Sequence, residues 1–332
     1  ISYVSGTYYA PYFNAENGNG YANFGQRPFS YSIPTGYRTL CSKNLPPNVP
    51  SIVRPQKHFD IITYTGTDSS VARTIDELEF APDFIWQKRR NGTNWHTIHD
   101  TVRGAGQTLY TNSNSLDTNN NQYGYISAIG TNGFTWSPGS TNNSDGNESS
   151  GTFVSWCWKA GGSSNTFNVD GTGYASASAA GITDGSIALT GASVNTEAGF
   201  SILTWTGTGS AGTIAHGLGA SPKIVVVKRR SGSDNWQVYW IGAGTERSGF
   251  LSLENAFSNG ATTSYWGTSE PTSTVFSVGS SATQTNASGE TYVGYCWTEI
   301  PGYSKFGEYT GNGSSDGVVV ELGFRPAWVL VK

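Results

Sequence analysis

The chain has 332 residues, a formal net charge of −4, and equal shares of charged and aromatic residues at 13% each. Disorder goes with few aromatics and high net charge, so this composition excludes it, and the acidic balance argues against a nucleic-acid footprint. With 43 glycines and no methionine, it reads as about two or three domains of short strands joined by tight turns.

Taken in chain order, Asn23-Phe24-Gly25-Gln26-Arg27-Pro28-Phe29, Pro34-Thr35-Gly36-Tyr37 and the run Leu40-Cys41-Ser42-Lys43-Asn44-Leu45-Pro46 come first. Residues 46–162 then form the first of two matching units. Ile61-Ile62-Thr63-Tyr64-Thr65-Gly66 is an extended run ending in Thr-Gly, and Pro82 follows it with Lys88 six residues on. Between them lies Asp83-Phe84-Ile85-Trp86-Gln87, which predicts a buried strand, with proline at its head where a missing N–H costs least. The unit closes on Phe153-Val154-Ser155-Trp156-Cys157-Trp158. Phe153, Ser155 and Cys157 share one face, and Val154, Trp156 and Trp158 the other. Apolar groups on both faces predict burial on both sides.

Residues 163–198 are rich in Gly, Ser, Ala, Asn and Thr. Gly185-Ser186-Ile187-Ala188-Leu189-Thr190 still reads as a short strand, so an ordered bridging hairpin or bulky loop is expected. The second unit, 199–301, repeats the marks: Ile202-Leu203-Thr204-Trp205-Thr206-Gly207, Pro222, Lys228, and the closing Tyr292-Val293-Gly294-Tyr295-Cys296-Trp297. The spacing from Pro82 to Cys157 is 75 and from Pro222 to Cys296 is 74. A tryptophan follows each Lys-Arg-Arg cluster, at Trp95 and Trp236. Residues 302–332 open a third, truncated copy with Phe306-Gly307-Glu308-Tyr309-Thr310-Gly311, Pro326 and Lys332. Because Ile1 begins in mid-pattern and this copy stops part-way, the sequence is expected to be a window onto a longer polypeptide. Copies of about 100 residues are long enough for separate cores, which predicts beads in a row rather than a solenoid.

The first segment, 1–45, resembles the C-terminal end and exit linker of a SPRY-like (concanavalin-type) β-sandwich. The units from Phe59 onward resemble an uncharacterised β-rich repeat of marine phage structural proteins, of cyanophage and pelagiphage type. The marks are Tyr64-Thr65-Gly66, Pro82-Asp83-Phe84-Ile85-Trp86, Asp100-Thr101-Val102-Arg103-Gly104, Gly199-Phe200-Ser201-Ile202, His216-Gly217-Leu218-Gly219, Pro222-Lys223 and Gly302-Tyr303-Ser304-Lys305-Phe306-Gly307. The resemblance implies a tail fibre or appendage on a virion, homo-oligomeric, commonly trimeric, in contact with other virion proteins. It supplies no ligand and no catalytic residue.

Constellations that could carry chemistry are few. His96, His99 and Asp100 could suggest a metal or general-base site, but on a strand the two histidines face opposite sides, and the second unit has Val238-Tyr239-Trp240 there. His216 in its Gly-flanked turn reads as turn-fixing. Asn143-Ser144-Asp145-Gly146-Asn147-Glu148 offers oxygen ligands but lacks a full calcium-loop pattern, so it reads as a solvated turn. Cys41, Cys157 and Cys296 are odd in number and widely spaced, which predicts buried free thiols rather than disulfides or metal ligands. No nucleophile elbow or phosphate loop occurs, and no apolar run approaches the ~18 residues of a membrane span.

The fold expected is all-β: tandem β-sandwich-like repeats after the end of a concanavalin-type sandwich. The function expected is non-enzymatic, without cofactor, metal, nucleic-acid partner or membrane insertion. The candidate ligand residues are Trp95, Trp136, Trp236, Trp240 and Trp266, in polar, turn-rich surroundings where an exposed ring could stack on a host-surface glycan. The alternatives are a decoration or sleeve subunit whose repeats bind only each other, and a secreted bacterial surface adhesin.

Overall fold

The computed structural model describes residues 51–240, 248–258, 262–280 and 282–332. The expected sandwich end at 1–45, with Cys41, lies outside the described residues. Those from Arg54 onward belong to one unit, and it is all-β apart from two short helices.

The first repeat contains β1 (Phe59–Thr65), β2 (Arg73–Ile75), β3 (Phe84–Arg89), β4 (Thr97–Asp100), β5 (Gln107–Tyr110), β6 (Thr118–Asn119), β7 (Tyr125–Gly130), β8 (Gly133–Ser137) and β9 (Thr152–Trp158). Its large sheet has the order β1-β9-β3-β4-β5-β6. The closing strand β9 therefore lies between the Thr-Gly strand and the Pro-led strand, antiparallel to both. A small sheet, β2-β8-β7, covers one face. Strand alternation explains the packing. Ile62, Tyr64, Ile85, Phe153 and Cys157 point to that side and form a core with Ile75, Leu78, Phe134 and Trp136.

Between the repeats lie β10 (Phe167–Val169), β11 (Thr172–Tyr174) and β12 (Leu189–Asn195). Hairpin β10–β11 pairs in parallel with β12 through β10, and β12 runs antiparallel to the first strand of the second repeat. The bridging segment is thus ordered and extends a sheet. The strand expected at 185–190 begins instead at Leu189, because Ile187 drops into the core of the second repeat.

The second repeat contains β13 (Phe200–Thr206), β14 (Gly212–Ala215), β15 (Ile224–Arg229), β16 (Gln237–Trp240), β17 (Ser248–Phe250), helix α1 (Thr262–Trp266), β18 (Val275–Val278) and β19 (Thr291–Trp297). Its strands sit in the order β13-β19-β15-β16-β17, the same topology as β1-β9-β3-β4-β5. The register repeats too: Phe84 lies opposite Trp158, and Ile224 opposite Trp297. A two-stranded sheet, β14-β18, closes its separate core around Trp205, Val225, Val227, Phe276 and Cys296. Each unit is also pinned by one buried asparagine. The Asn147 side chain accepts the Thr67 N–H and donates to the Asp68 carbonyl, and Asn286 accepts the Thr208 N–H and donates to the Ser210 and Gly279 carbonyls.

The expectation of beads in a row is not met. The remaining faces of the two large sheets pack on each other in one shared cluster that holds Phe84, Ile98, Leu109 and Trp158 together with Phe200, Ile202, Trp236, Val293 and Tyr295. Four layers result: small sheet, large sheet, large sheet, small sheet. The physical reason is the double-sided apolar alternation of β9 and β19, since one repeat alone covers only one of those faces. Residues 302–332 carry the sequence marks of a third copy, yet no named strand forms there. In the complete copies the Thr-Gly and Pro-led strands are held apart by a closing strand, and no described segment fills that place between their counterparts here.

Candidate functional site

Of the five tryptophans expected to stack on a ligand, three are core residues. Trp136 is fully buried, and its indole N–H donates to Gln87 Oε1 at 3.0 Å. Trp236 is fully buried and donates to the Tyr110 carbonyl at 2.7 Å. Trp266 packs edge-on against Tyr239 and Phe276 at 5.5 and 6.4 Å. Rings enclosed in this way present no face to a sugar, so these three are corrected to packing residues. Trp240 is half-buried against Phe257. Trp95 is 49% exposed and meets Tyr110 edge-on at 5.1 Å.

The different fates of Trp95 and Trp236 come from register. Thr97 pairs with Gln87 in one repeat as Gln237 pairs with Val227 in the other. Trp236 therefore stands where His96 stands, and Trp95 matches Asn235. A one-residue offset puts a side chain on the opposite face of a strand, so one ring is inside and the other outside.

The structure brings together an aromatic face that the sequence reading did not single out. On the inner side of the first repeat's large sheet, Ile61, Trp156, Trp86 and Ile98 form a row across β1, β9, β3 and β4. Thr63, Val154 and Lys88 form the next row. Ile98 is buried, whereas Ile61, Trp86, Lys88, Val154 and Trp156 are half-buried and Thr63 is exposed. The Trp86 and Trp156 rings meet edge-on at 5.9 Å, and the Trp86 N–H donates to His96 Nδ1 at 3.2 Å. Burial, helped by nearby Lys88, lowers the His96 pKa, so the ring is the neutral acceptor this bond requires. The face offers apolar rings, one neutral imidazole and a lysine whose ammonium donates to the carbonyls of Arg89 and Gly92. It is suited to stacking and docking; these side chains supply no acid–base pair. The signal that could have found it was the alternation of β3 and β9 itself, compared residue by residue with the second repeat.

The other polar constellations lock the fold. Arg103 donates to Asp100 Oδ2 at 2.5 Å, to Asp117 Oδ1 at 2.8 Å and to the Ile98 carbonyl at 2.9 Å. From the second repeat, Tyr295 donates to Asp100 Oδ2 at 2.7 Å and Arg230 to Asp117 Oδ2 at 2.9 Å. Burial opposes ionisation of Asp100, but Arg103 and the hydrogen bonds outweigh it and hold the carboxyl below its usual range. Lys228, fully buried, donates to the Asn114 carbonyl of the first repeat, and burial lowers its pKa to about 8. One basic cluster thus serves the junction between repeats.

His99 is buried edge-on against Trp136 at 5.1 Å, bonded through Nδ1 to the Gln107 carbonyl, and burial lowers its pKa to about 3. His96 and His99 do lie on opposite faces. His216 spans the Thr272 carbonyl and the Leu218 N–H, which fixes its turn. Asp145 is buried rather than solvated. Its carboxylate accepts from Asn94 and Tyr110, and burial raises its pKa to about 6. Cys157 and Cys296 are buried free thiols. A polar cavity of about 280 Å³ lies where the β4–β5 loop meets the bridging segment, lined by Thr101, Val102, Asn165, Asn168 and Thr190 among others. Among the described residues no cluster of three or more His, Cys, Asp or Glu could hold a metal, and no helix is long and apolar enough to cross a membrane.

These features define a duplicated all-β repeat protein whose units share a core and meet at a network of buried and half-buried polar groups. By sequence, residues 54–332 match the family described as Domain of unknown function (DUF7483), and the chain belongs to that family. No curated protein and no solved structure matches it.

Proposed function

We propose that this chain is a non-enzymatic structural part of a virion, a tail fibre or appendage that spans distance and contributes to host-surface recognition. The observation that best supports this reading is the junction between repeats. A buried network of Asp100, Arg103, Asp117, Tyr295 and Arg230, set beside an aromatic cluster, makes two repeats into one stiff block. Such a block transmits load and orientation, which a fibre needs. Homo-oligomerisation and contact with other virion proteins belong to the same reading, and Trp95 is the ring placed to stack on a glycan. A second reading, a decoration or sleeve subunit whose repeats bind only each other, is favoured by the half-covered aromatic face of the first repeat.

The test is to raise antibodies against this chain and apply them to purified particles from the source culture, with parallel peptide mass spectrometry. Gold label on appendages is expected. A chain absent from the particles refutes the virion assignment. Label on appendages without binding to host envelope or its glycans keeps the structural role and refutes recognition.

A further inference from the structure

The two complete repeats share topology and register, so each strand position of one has a counterpart in the other. Two contacts mark how the first repeat seats on the second. Phe84, two residues after Pro82, sets its ring 5.7 Å from Phe200 and 6.3 Å from Trp297, which lie opposite each other on β13 and β19. The Asn114 carbonyl, in the loop after β5, accepts from Lys228, six residues after Pro222, at 3.3 Å.

Residues 302–332 repeat both contacts, one on each of the other units. Trp328, two residues after Pro326, sets its ring 6.3 Å from Phe59 and 5.3 Å from Trp158 of the first repeat. These two lie opposite each other on β1 and β9 and are the counterparts of Phe200 and Trp297. Lys332, six residues after Pro326, donates at 2.6 Å to the Leu253 carbonyl of the second repeat. Leu253 stands three residues after Phe250 and Asn114 four after Tyr110, and Tyr110 and Phe250 hold matching places, opposite Thr97 and Gln237. The contacts therefore run in one sense: first onto second, second onto third, third onto first. In a row with the third unit stacked beyond the first, Lys332 could not reach the second repeat. Head-to-tail contacts that keep one sense form a ring when the rotation closes. Phe84, Ile224 and Trp328, each two residues after its proline, belong to one apolar cluster, which fits three units gathered about a common axis.

We infer that the three repeat units of this chain form a closed ring about Phe84, Ile224 and Trp328, and that the open inner face of the first repeat is the seat of the third unit. The partner of that face is thus internal to the chain. Trp328 already lies 6.2 Å from Trp86 on it. Lys88 bonds within its own hairpin. It marks the position at which a loop carbonyl of the third unit completes the ring, as Asn114 does at Lys228 and Leu253 at Lys332. The ring stands apart from the virion assignment, since it concerns contacts between units of one chain.

Double electron–electron resonance on the full chain tests it, with nitroxides on Ala81→Cys, Ser221→Cys and Arg325→Cys taken two at a time in a Cys41→Ser background. Each site immediately precedes its proline, and Cys157 and Cys296 are fully buried, out of reach of the label. A ring of equivalent contacts predicts three mutual distances that agree within about 5 Å. A 221–325 distance near the sum of the other two describes a row and overturns the inference. Adding Trp328→Ala is expected to broaden both distances to position 325 and leave the 81–221 distance as it was. Distances to 325 that W328A leaves as sharp as before overturn the seat on the first repeat. A second measurement needs no label: zero-length carbodiimide coupling of the monomer is expected to join Lys332 to Glu254, the residue after Leu253. Coupling of Lys332 only to other carboxylates overturns the ring.

Discussion

Replacing Arg103 by methionine removes the guanidinium that holds Asp100 and Asp117, the two carboxylates that Tyr295 and Arg230 of the second repeat bond, and keeps an apolar stem of similar reach. Arg103 and Asp100 side chains are wholly buried, and Arg103 supplies the only cation bonded to Asp100 among the described residues. Asp117 keeps Arg230 as a partner, so the cost falls mainly on Asp100. Breaking a buried pair by removing one partner costs about 3–5 kcal/mol, because the other charge is left uncompensated. Unfolding entropy near 60 °C is about 2.1 cal/mol/K per residue. Over the roughly 280 residues of the unit this gives about 0.6 kcal/mol/K, so R103M should lower the melting temperature by about 5–8 °C at pH 7.5. The pH dependence has a definite sign. In the wild type the folded Asp100 pKa lies below its unfolded value, so its stabilisation is present above the unfolded pKa and is lost as pH falls through the folded one. In R103M burial acts on Asp100 without its cation and raises the folded pKa, so the penalty grows as pH rises past about 4. The gap between the two proteins should therefore narrow at pH 4. The double variant D100N/R103M should regain at least about half of the loss at pH 7.5. Differential scanning calorimetry at both pH values measures all of this. A drop below about 1 °C at pH 7.5, or a gap that does not narrow on acidification, refutes the claim that this buried pair anchors the junction between repeats.

Asp83 accepts N–H bonds from Ala160 and Gly162 and a hydroxyl bond from Thr101, yet burial raises its pKa to about 6. A carboxyl raised in the folded state favours stability at low pH and loses that contribution as pH climbs from about 4 to 6. Asp83→Asn should flatten the pH profile of the unfolding free energy from urea titrations over that window by about 2–3 kcal/mol, and an unchanged slope counts against the assignment. Trp236→Ala should cost about 3–5 kcal/mol in chemical denaturation, while Trp95→Ala should cost under about 1 kcal/mol; similar losses at both would contradict the one-residue register offset. Asn147→Ala and Asn286→Ala should each cost about 1–3 kcal/mol by the same assay, since each strands a Thr N–H and several carbonyls. A near-neutral result at either position would mean that solvent replaces the bonds.

Much of the fold was legible in the sequence because it rests on local alternation and on repetition. Ile61 to Gly66, Pro82 to Lys88 and Phe153 to Trp158 each became the strand their pattern implied, and the spacing of those marks carried the duplication into the structure. The double-sided alternation of Val154, Trp156 and Trp158 even contained the shared core. Taken alone it implies burial without naming a partner, because nothing local says which sheet lies opposite. The candidate site was hardly legible. Surroundings rich in Asn and Thr placed Trp136, Trp236 and Trp266 near turns, and turns are not the same as surface. Their fate depended on small sheets and on strand register that sequence spacing does not resolve. The contact between Asp100 and Tyr295 joins residues 195 positions apart, and only topology brings them together.

The same topology explains why duplicated units need not be interchangeable. Lys88 and Lys228 occupy one position in two copies, and each donates to the carbonyl of the arginine that follows it. Lys228 gains Asn114 from the other repeat and is fully buried. Lys88 has only Gly92 of its own hairpin as a second acceptor and stays half-buried. His96 and Trp236 differ in the same sense, one half-open beside Trp86 and one closed under Tyr110. A face that must be covered within the chain selects a large apolar ring whose N–H finds a carbonyl across the junction. A face left open tolerates an imidazole and an aromatic pair that remain partly in water. Divergence between these copies therefore tracks position in the stack, with the strands and turns held in common and the inner faces tuned to what lies against them.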